Sequence, residues 1–346
     1  MAITDQSRNS IADARPRFAF ILQPEFPLNA FVLATEALRI ANQNSGQDLF
    51  DWLFVSESGQ SVRASNGMRI DVHGDLAALP QCGYLILLEG NLPTQNNSPQ
   101  LLSALRNAHR HGATVIAVDT GAFALARAGL TGERKLVLHW EAKPAYLEHF
   151  PDAEIADQLY LFDGQLGFCA GGVGMLDLML ELIGRLRGAA LAREVANALI
   201  HTPREATRPQ RVEGAAVGAS SSLSRQVIAL MERHLDFPLS PRRIADKLGI
   251  SVRSLERYCA REFGQTPTQL YLLVRLQAAR NLLFYEEGDI KDIAVACGFS
   301  YPAVFTRAFK AQFGQPPRAF RQSFRDAQGR LIRPEIARLS AANKRG

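Results

Sequence analysis

Three polar clusters close apolar runs in the first half of the chain. Pro24-Glu25 follows FAFIL (18–22), Glu89-Gly90-Asn91 ends YLILLEG (84–90), and Asp119-Thr120-Gly121 ends ATVIAVD (113–119). Carboxylates gathered at such ends can neutralise a cation, whereas a single one can simply cap the helix that follows. A second set is basic. Arg257 and Arg307 stand at equivalent points of two related stretches in the last third, where a guanidinium can read guanine bidentately or hold a phosphate or carboxylate.

The elements that must position the first set alternate in type. WLFVS (52–56) and the segment near LYLFDG (159–164) join the three runs above as strands, while 29–42, 99–111, 121–128, 141–149 and 173–187 carry helical spacing. Such alternation predicts an α/β domain, a mainly parallel sheet covered by helices on both faces, with ligands collecting beyond the C-terminal strand edges. Those edges carry the three polar clusters.

The second set lies in a repeat with a spacing of about 50 residues, RIADKLGISVRSLERYCAREFGQTP (243–267) and DIAVACGFSYPAVFTRAFKAQFGQPP (292–317). Each copy opens with Ile-Ala on a short helix, turns at Gly249 or Gly298, and starts a second helix for which Ser251 or Ser300 is the expected N-cap. Leu255, Cys259 and Phe263, and Phe305, Phe309 and Phe313, line the apolar side of those helices. Phe-Gly and then Pro ends each one. This is the pattern of a helix-turn-helix, whose second helix fits the major groove of B-DNA. Two copies, joined by the helical pattern at 269–284, could address two successive grooves. A repeated hairpin can also serve as a protein-binding scaffold, but matched caps and matched arginines in a basic segment favour DNA.

Charge and composition agree with a division of labour. Residues 223–346 hold 21 Lys and Arg against 11 Asp and Glu, a net of +10, whereas residues 1–222 hold 18 against 23, a net of −5. Only the basic part is suited to a polyanion. The stretch 201–222, rich in Pro, Gly, Ser and charge without apolar periodicity, reads as a linker. The expected division is 17–200 for a sensor domain, 223–325 for an all-α domain with two helix-turn-helix units, and 326–346 for a polar basic tail. The polar first seventeen residues lack a secretion signal, and no apolar run is long enough to span a membrane, so a cytoplasmic location without membrane contact is expected. Cys82, Cys169, Cys259 and Cys297 are scattered without a Cys-x-x-Cys pair, which argues against a disulfide framework and a zinc site. They are expected as reduced, buried thiols, and neither metal nor cofactor is expected.

Over about 223–325 the chain resembles the AraC/XylS family of transcriptional regulators, most specifically in Ile293-Ala294, Gly298-Phe299, Phe305, Arg307, Phe309-Lys310, Phe313-Gly314 and Pro316-Pro317. The resemblance implies DNA-contacting residues Arg253, Ser254, Glu256 and Arg257 in the first unit and Pro302, Ala303, Thr306, Arg307 and Lys310 in the second. Pro302 and Ala303 lack side-chain hydrogen-bond donors, so the second unit is expected to lean on shape and phosphate contacts. Over about 17–190, PEFPLNAFVLATEALRIAN (24–42), DTGAFALARAGLTGERKLVLHWE (119–141) and CAGGVGMLDLMLELI (169–183) resemble the amidotransferase-like domain of the ThiJ/PfpI superfamily, as arranged in GlxA-type regulators. Enzymes of that superfamily carry a Cys nucleophile on a tight strand-to-helix turn. Here Asp119 stands at that turn, and the acidic partner of many relatives aligns with Ala30.

Without a nucleophile, His139 reads as a structural or ligand-binding group, and Cys169 falls on another segment, so catalysis is not expected. The alternative is an amidase-, protease- or glyoxalase-like enzyme tethered to DNA. The resemblance places Phe26, Glu89, Asn91, Asp119, Thr120, His139, Trp140 and Glu141 around a pocket suited to an amino acid or quaternary amine such as arginine, betaine or carnitine. The competing reading makes Asp119 a helix cap and Trp140 a core residue. The resemblance also implies promoter DNA, RNA polymerase and a second copy of the chain as partners, and activation of a catabolic operon as the role.

Overall fold

Strands buried on both faces need no polar alternation, and the runs RFAFIL and YLILLE have none. They form β1 (Arg17–Leu22) and β5 (Tyr84–Glu89), neighbouring interior strands of a six-stranded sheet. The computed structural model describes residues 15–90, 97–210, 222–285 and 288–327. The chain divides into two compact units, Met1–Gln210 and Arg211–Gly346.

In the first unit, β1 is followed by α1 (Leu28–Ser45), β2 (Asp51–Val55), the short hairpin β3 (Val62–Arg63) and β4 (Arg69–Ile70), and then β5. After β5 come α2 (Pro99–Arg110), β6 (Thr114–Asp119), α3 (Ala122–Arg127), α4 (Lys143–His149), β7 (Tyr160–Asp163), β8 (Leu166–Cys169), α5 (Gly174–Arg187) and α6 (Ala189–Ala198). The strand order is β2-β1-β5-β6-β8-β7, parallel except for the β7–β8 hairpin. Alternate side chains Phe18, Phe20, Leu22, Ile86, Leu88, Ile116 and Val118 enter one core with α1, α5 and α6. On the sheet's other side, α2 and α3 lie against β6.

Because β1 has β2 on one side and β5 on the other, the winding reverses between β1 and β5. That reversal opens a crevice beyond their C-terminal ends, the place where ligands bind in open α/β sheets. β8 was not anticipated as a separate strand. It returns from β7 through Gly164, whose φ is +62°, and contributes the sheet's second-to-last position.

The first ten residues of the expected linker belong to this unit. Asp177 of α5, with a side chain only 1% exposed, accepts hydrogen bonds from the Arg204 backbone N–H (2.9 Å), Arg204 Nε (2.9 Å) and Arg204 Nη2 (2.6 Å), and pairs with His201 Nε2 (2.7 Å). Leu159 donates its backbone N–H to the Ala206 carbonyl, and Ala206 packs on the core. Polar contacts hold the segment, so the absence of apolar periodicity was a misleading sign of a free linker. Residues 211–221 lie outside the described residues, as does the expected tail beyond Ala327.

The second unit is helical: α7 (Ser222–Glu232), α8 (Pro241–Leu248), α9 (Val252–Phe263), α10 (Pro267–Tyr285), α11 (Ile290–Ala296), α12 (Pro302–Phe313) and α13 (Pro317–Ala327). Ile244, Ala245, Leu255 and Cys259 pack with Val227 and Met231 of α7 and Leu270 of α10. In the second half, Ile293, Ala294, Phe305 and Phe309 are buried, with the Phe309 ring 5.5 Å from Phe305 and 5.4 Å from Phe320. α10 bridges the halves. Its Arg275 donates to the Cys297 and Gly298 carbonyls, both at 2.7 Å, and lies 4.1 Å over the Phe299 ring. Gly298 turns at φ +73°, and a Cβ there would meet the Leu235 carbonyl at 2.3 Å, so the turn between α11 and α12 requires glycine.

Candidate effector pocket and nucleic-acid interface

β6 ends at Asp119 in a backbone conformation rare for a side-chain-bearing residue, with φ +61°, before the chain bends into α3. The bend is held by Gly121 donating to the Val118 carbonyl (3.0 Å), Thr120 donating its backbone N–H to the Glu89 carbonyl (3.2 Å), and His139 donating its backbone N–H to the Asp119 carbonyl (3.2 Å). The parallel register sets Glu89 beside Asp119. At the end of β1, Glu25 has φ +62°, and its carbonyl comes so close to Gly90 that a Cβ there would sit 2.3 Å away. Two strained acidic residues therefore flank Glu89-Gly90 across the crevice.

Asp119 caps nothing. The residue at the start of α3 is Gly121, which makes no side-chain cap, and Asp119 Oδ1 is buried without a hydrogen-bond partner among the described residues. Burial raises the Asp119 carboxyl to about 6; His139 opposes the rise and Glu141 adds to it. Glu89 is raised well above the ordinary carboxylate range by burial, against the opposing effects of the hydrogen bond from Asn97 Nδ2 (2.7 Å) and the charge of Arg127. His139 Nδ1 lies 4.0 Å from Glu141 Oε2, and the His139 ring is 5.9 Å from the Trp140 indole. His139, Trp140 and Glu141 are half-buried, and His139 and Glu141 are close enough to Asp119 to act on its charge.

The expected pocket residues separate into three groups. Asp119 has Glu89 beside it in the sheet register and His139 and Glu141 near enough to act on its charge, with Trp140 next to His139. Phe26 is corrected: it has no exposed surface and packs edge-on to Phe31, 5.7 Å away, because its bridge to Ala64 turns it into the core. Thr120 is fully buried, and its hydroxyl donates to the Gly90 carbonyl at 2.6 Å, which makes it a brace for the turn. Asn91 lies outside the described residues. Glu25, flagged in the sequence by its place after β1, pairs with Arg63 Nη1 at 3.7 Å. Asn97 and Arg127 were missed, because they reach Glu89 only through tertiary packing.

Cys169 ends β8 next to Val118 of β6, and its Sγ accepts a hydrogen bond from Gly171 N–H at 3.4 Å. Burial pushes this thiol up to about 12, which favours the protonated form over the thiolate. All four cysteines are buried free thiols.

In the helical unit, Ser251 Oγ accepts from Ser254 N–H at 3.1 Å and caps α9, as its position suggested. Ser300 is corrected. The residue at the start of α12 is Tyr301, which makes no side-chain cap, and Pro302 occupies the first turn, where its missing N–H costs nothing. Both helices end at left-handed glycines, Gly264 and Gly314. Arg253, Glu256 and Arg257 are exposed on α9; Pro302, Ala303, Arg307 and Lys310 are exposed on α12. Ser254 and Thr306 are half-buried beside them.

Across 304 residues the chain is 36% identical to the HTH-type transcriptional regulator CdhR of Pseudomonas aeruginosa, spanning 87% of this chain and 90% of that protein. The chain belongs to this family of transcriptional regulators. It is also 32% identical over 325 residues to the HTH-type transcriptional regulator GlxA of Rhizobium meliloti, covering 93% of this chain and 99% of the relative. A family described as a helix-turn-helix domain matches residues 244–323, from within α8 to within α13. A ThiJ/PfpI family protein from Pseudomonas syringae superposes with a TM-score of 0.50 at 19% identity, covering 72% of this chain and 96% of that one. That likeness concerns the fold of the α/β unit, while the family membership makes the whole chain a DNA-binding regulator with an AraC-type helical unit. No described helix of this regulator is long and apolar enough to cross a membrane.

Proposed function

We propose that the α/β unit is a sensor without catalytic activity, and that a small cationic metabolite, an amino acid or a quaternary amine, binds at Asp119. The observation that carries this reading is the carboxylate itself. Asp119 occupies a strained strand-to-helix turn, has an oxygen without a hydrogen-bond partner among the described residues, and lies near Glu89 and Glu141. A cation would supply the missing partner, and the half-buried Trp140 ring beside His139 suits a methylated ammonium. A carboxylate at the turn would also oppose an oxyanion forming there, which argues against acyl chemistry.

Control of DNA requires the ligand to favour one of two states. The element placed to carry that difference is the segment 201–210, which runs from the sensor toward the helical unit in sequence and ends at the pocket wall. Gln210 Oε1 accepts from Trp140 N–H and Gln210 Nε2 donates to the Leu138 carbonyl. A shift of His139 or Trp140 on ligand binding therefore moves the start of the connection. In the helical unit, α9 and α12 enter successive major grooves, with Arg253, Glu256 and Arg257 reading bases from α9 and Arg307 and Lys310 contacting DNA from α12. A homodimer that activates transcription through RNA polymerase is the mode of action the family suggests.

The test is calorimetry on the full chain with a panel of amino acids and methylated amines, alongside DNA titrations at one stated salt concentration. The expected result is micromolar to millimolar binding of one class, lost in Asp119→Ala and Trp140→Ala, with a change in DNA affinity. Binding unaffected by either substitution overturns the pocket. Turnover of a bound metabolite that vanishes in Asp119→Ala overturns the inactive-sensor reading.

A further inference from the structure

The two recognition helices present different chemistry. The first turns of α9 expose Arg253, Glu256 and Arg257, whereas α12 exposes Tyr301, Pro302, Ala303 and Val304 before its first charge at Arg307. Tyr301 is 70% exposed and Val304 43%, while Phe305 and Phe309 of the same helix are fully buried. The core is therefore already filled by its own aromatic residues. The backbone that carries them is fixed: the Tyr301 carbonyl accepts from Val304 N–H (3.0 Å) and Phe305 N–H (3.2 Å), closing the first turn. Tyr301, Val304, Arg307 and Lys310 are all exposed and follow at intervals of three, an apolar beginning that becomes basic along a stripe that winds around the helix by about 60° per step.

The residues at the start of the second helix are the ones that reach base edges in a helix-turn-helix. Beside the hydrogen-bond donors and acceptors of the major-groove edge, the C5 methyl of thymine is the one bulky apolar group, cytosine offering only a C5–H at the same place. Val304 has no hydrogen-bonding side-chain atom, so methyl groups are what it can recognise there. The basic end of the stripe suits the adjoining phosphates, and the segment from 223 onward carries a net +10.

We propose that the second helix-turn-helix reads thymine, through van der Waals contact of Val304 and the Tyr301 ring with thymine C5 methyl groups. Arg307 and Lys310 hold the same half-site electrostatically. The two units then divide the operator between hydrogen-bond readout by α9 and methyl readout by α12. This rests on α12 being a major-groove helix and adds the base class that it selects.

The experiment begins with a duplex selected from a random-sequence library by the full-length protein. Each thymine is then replaced singly by deoxyuridine, which keeps the pairing and removes only the methyl. At one or two thymines of one half-site, the replacement should weaken wild-type binding about fourfold each, the value of one buried methyl-sized group. Val304→Ala and Tyr301→Ala should bind the thymine duplex more weakly and lose sensitivity to the replacement, whereas Arg257→Ala should keep it. Both substituted positions are exposed, so unchanged thermal unfolding is expected and separates lost contact from lost fold. No responsive thymine, or a response unchanged in both α12 variants, overturns the proposal. So does wild-type DNA affinity in those variants with loss of activation in a purified transcription assay, which would assign the patch to polymerase. Failure to enrich any sequence overturns DNA reading by these helices, and the thymine proposal with it.

Discussion

Gln210 grips the backbone on both sides of His139, accepting from Trp140 N–H at 2.8 Å and donating to the Leu138 carbonyl at 2.9 Å. The last described residue before the helical unit is thus hydrogen-bonded to the wall of the candidate pocket. Gln210→Ala should leave metabolite affinity within about threefold of wild type while abolishing the effect of the metabolite on DNA affinity; the two lost hydrogen bonds are worth about 1–3 kcal/mol together. Calorimetry and DNA titration on the same preparation measure both. A wild-type response in the variant means that the signal travels elsewhere.

Asp119 should also be a liability for stability. Its folded value of about 6 lies above the ordinary 3.8. A carboxyl raised in this way contributes stability that is fully present below the unfolded value and lost as pH rises through the folded one. Above pH 6 the protein carries a desolvated charge. Asp119→Asn is expected to stabilise the α/β unit by up to about 3 kcal/mol at pH 7.5 and by roughly half that at pH 5. Urea unfolding at the two pH values checks the sign, and a pH-independent or destabilising effect contradicts it.

The same titration sets the pH response of metabolite binding. A cation pairs with ionised Asp119, so affinity should hold at pH 7–8 and fall as pH drops through about 6, by up to about tenfold per unit below it. Calorimetry in buffers of different ionisation enthalpy should also detect proton release on binding near pH 6. Equal affinity at pH 5 and pH 7.5 removes Asp119 from the site.

Arg204→Ala leaves the buried Asp177 carboxylate with His201 and one backbone N–H, and should cost about 2–3 kcal/mol. Because the pair fastens 201–210 to α5, faster amide exchange is expected in that segment before it rises elsewhere. Exchange that accelerates uniformly would indicate general destabilisation and not release of the segment.

Arg257→Ala should relax sequence preference more than Arg307→Ala, since α9 exposes several polar readers whereas the start of α12 is apolar. Binding-site selection with each variant ranks them. Broader specificity in Arg307→Ala would reverse the division of labour between the two units.

Local signals were enough for much of this protein. The parallel strands announced themselves because a strand buried on both faces must be apolar throughout, and the paired helix-turn-helix units did so because Ile-Ala, turn glycines and phenylalanines recur in register. Even the acidic ends of β1, β5 and β6 were visible, since they follow directly on those strands. Tertiary structure decided what those ends do. Phe26 went to the core because its strand-like bridge with Ala64 turned it inward, and Ser300 lost its cap to Tyr301 because Pro302 sets where α12 begins. Residues 201–210 were fastened by Asp177 and Gln210, contacts spanning 24 to 72 positions that no local pattern encodes. The charge of Asp119 belongs to the same class: the side chain is written in the sequence, but its raised pKa comes from the walls that exclude water around it.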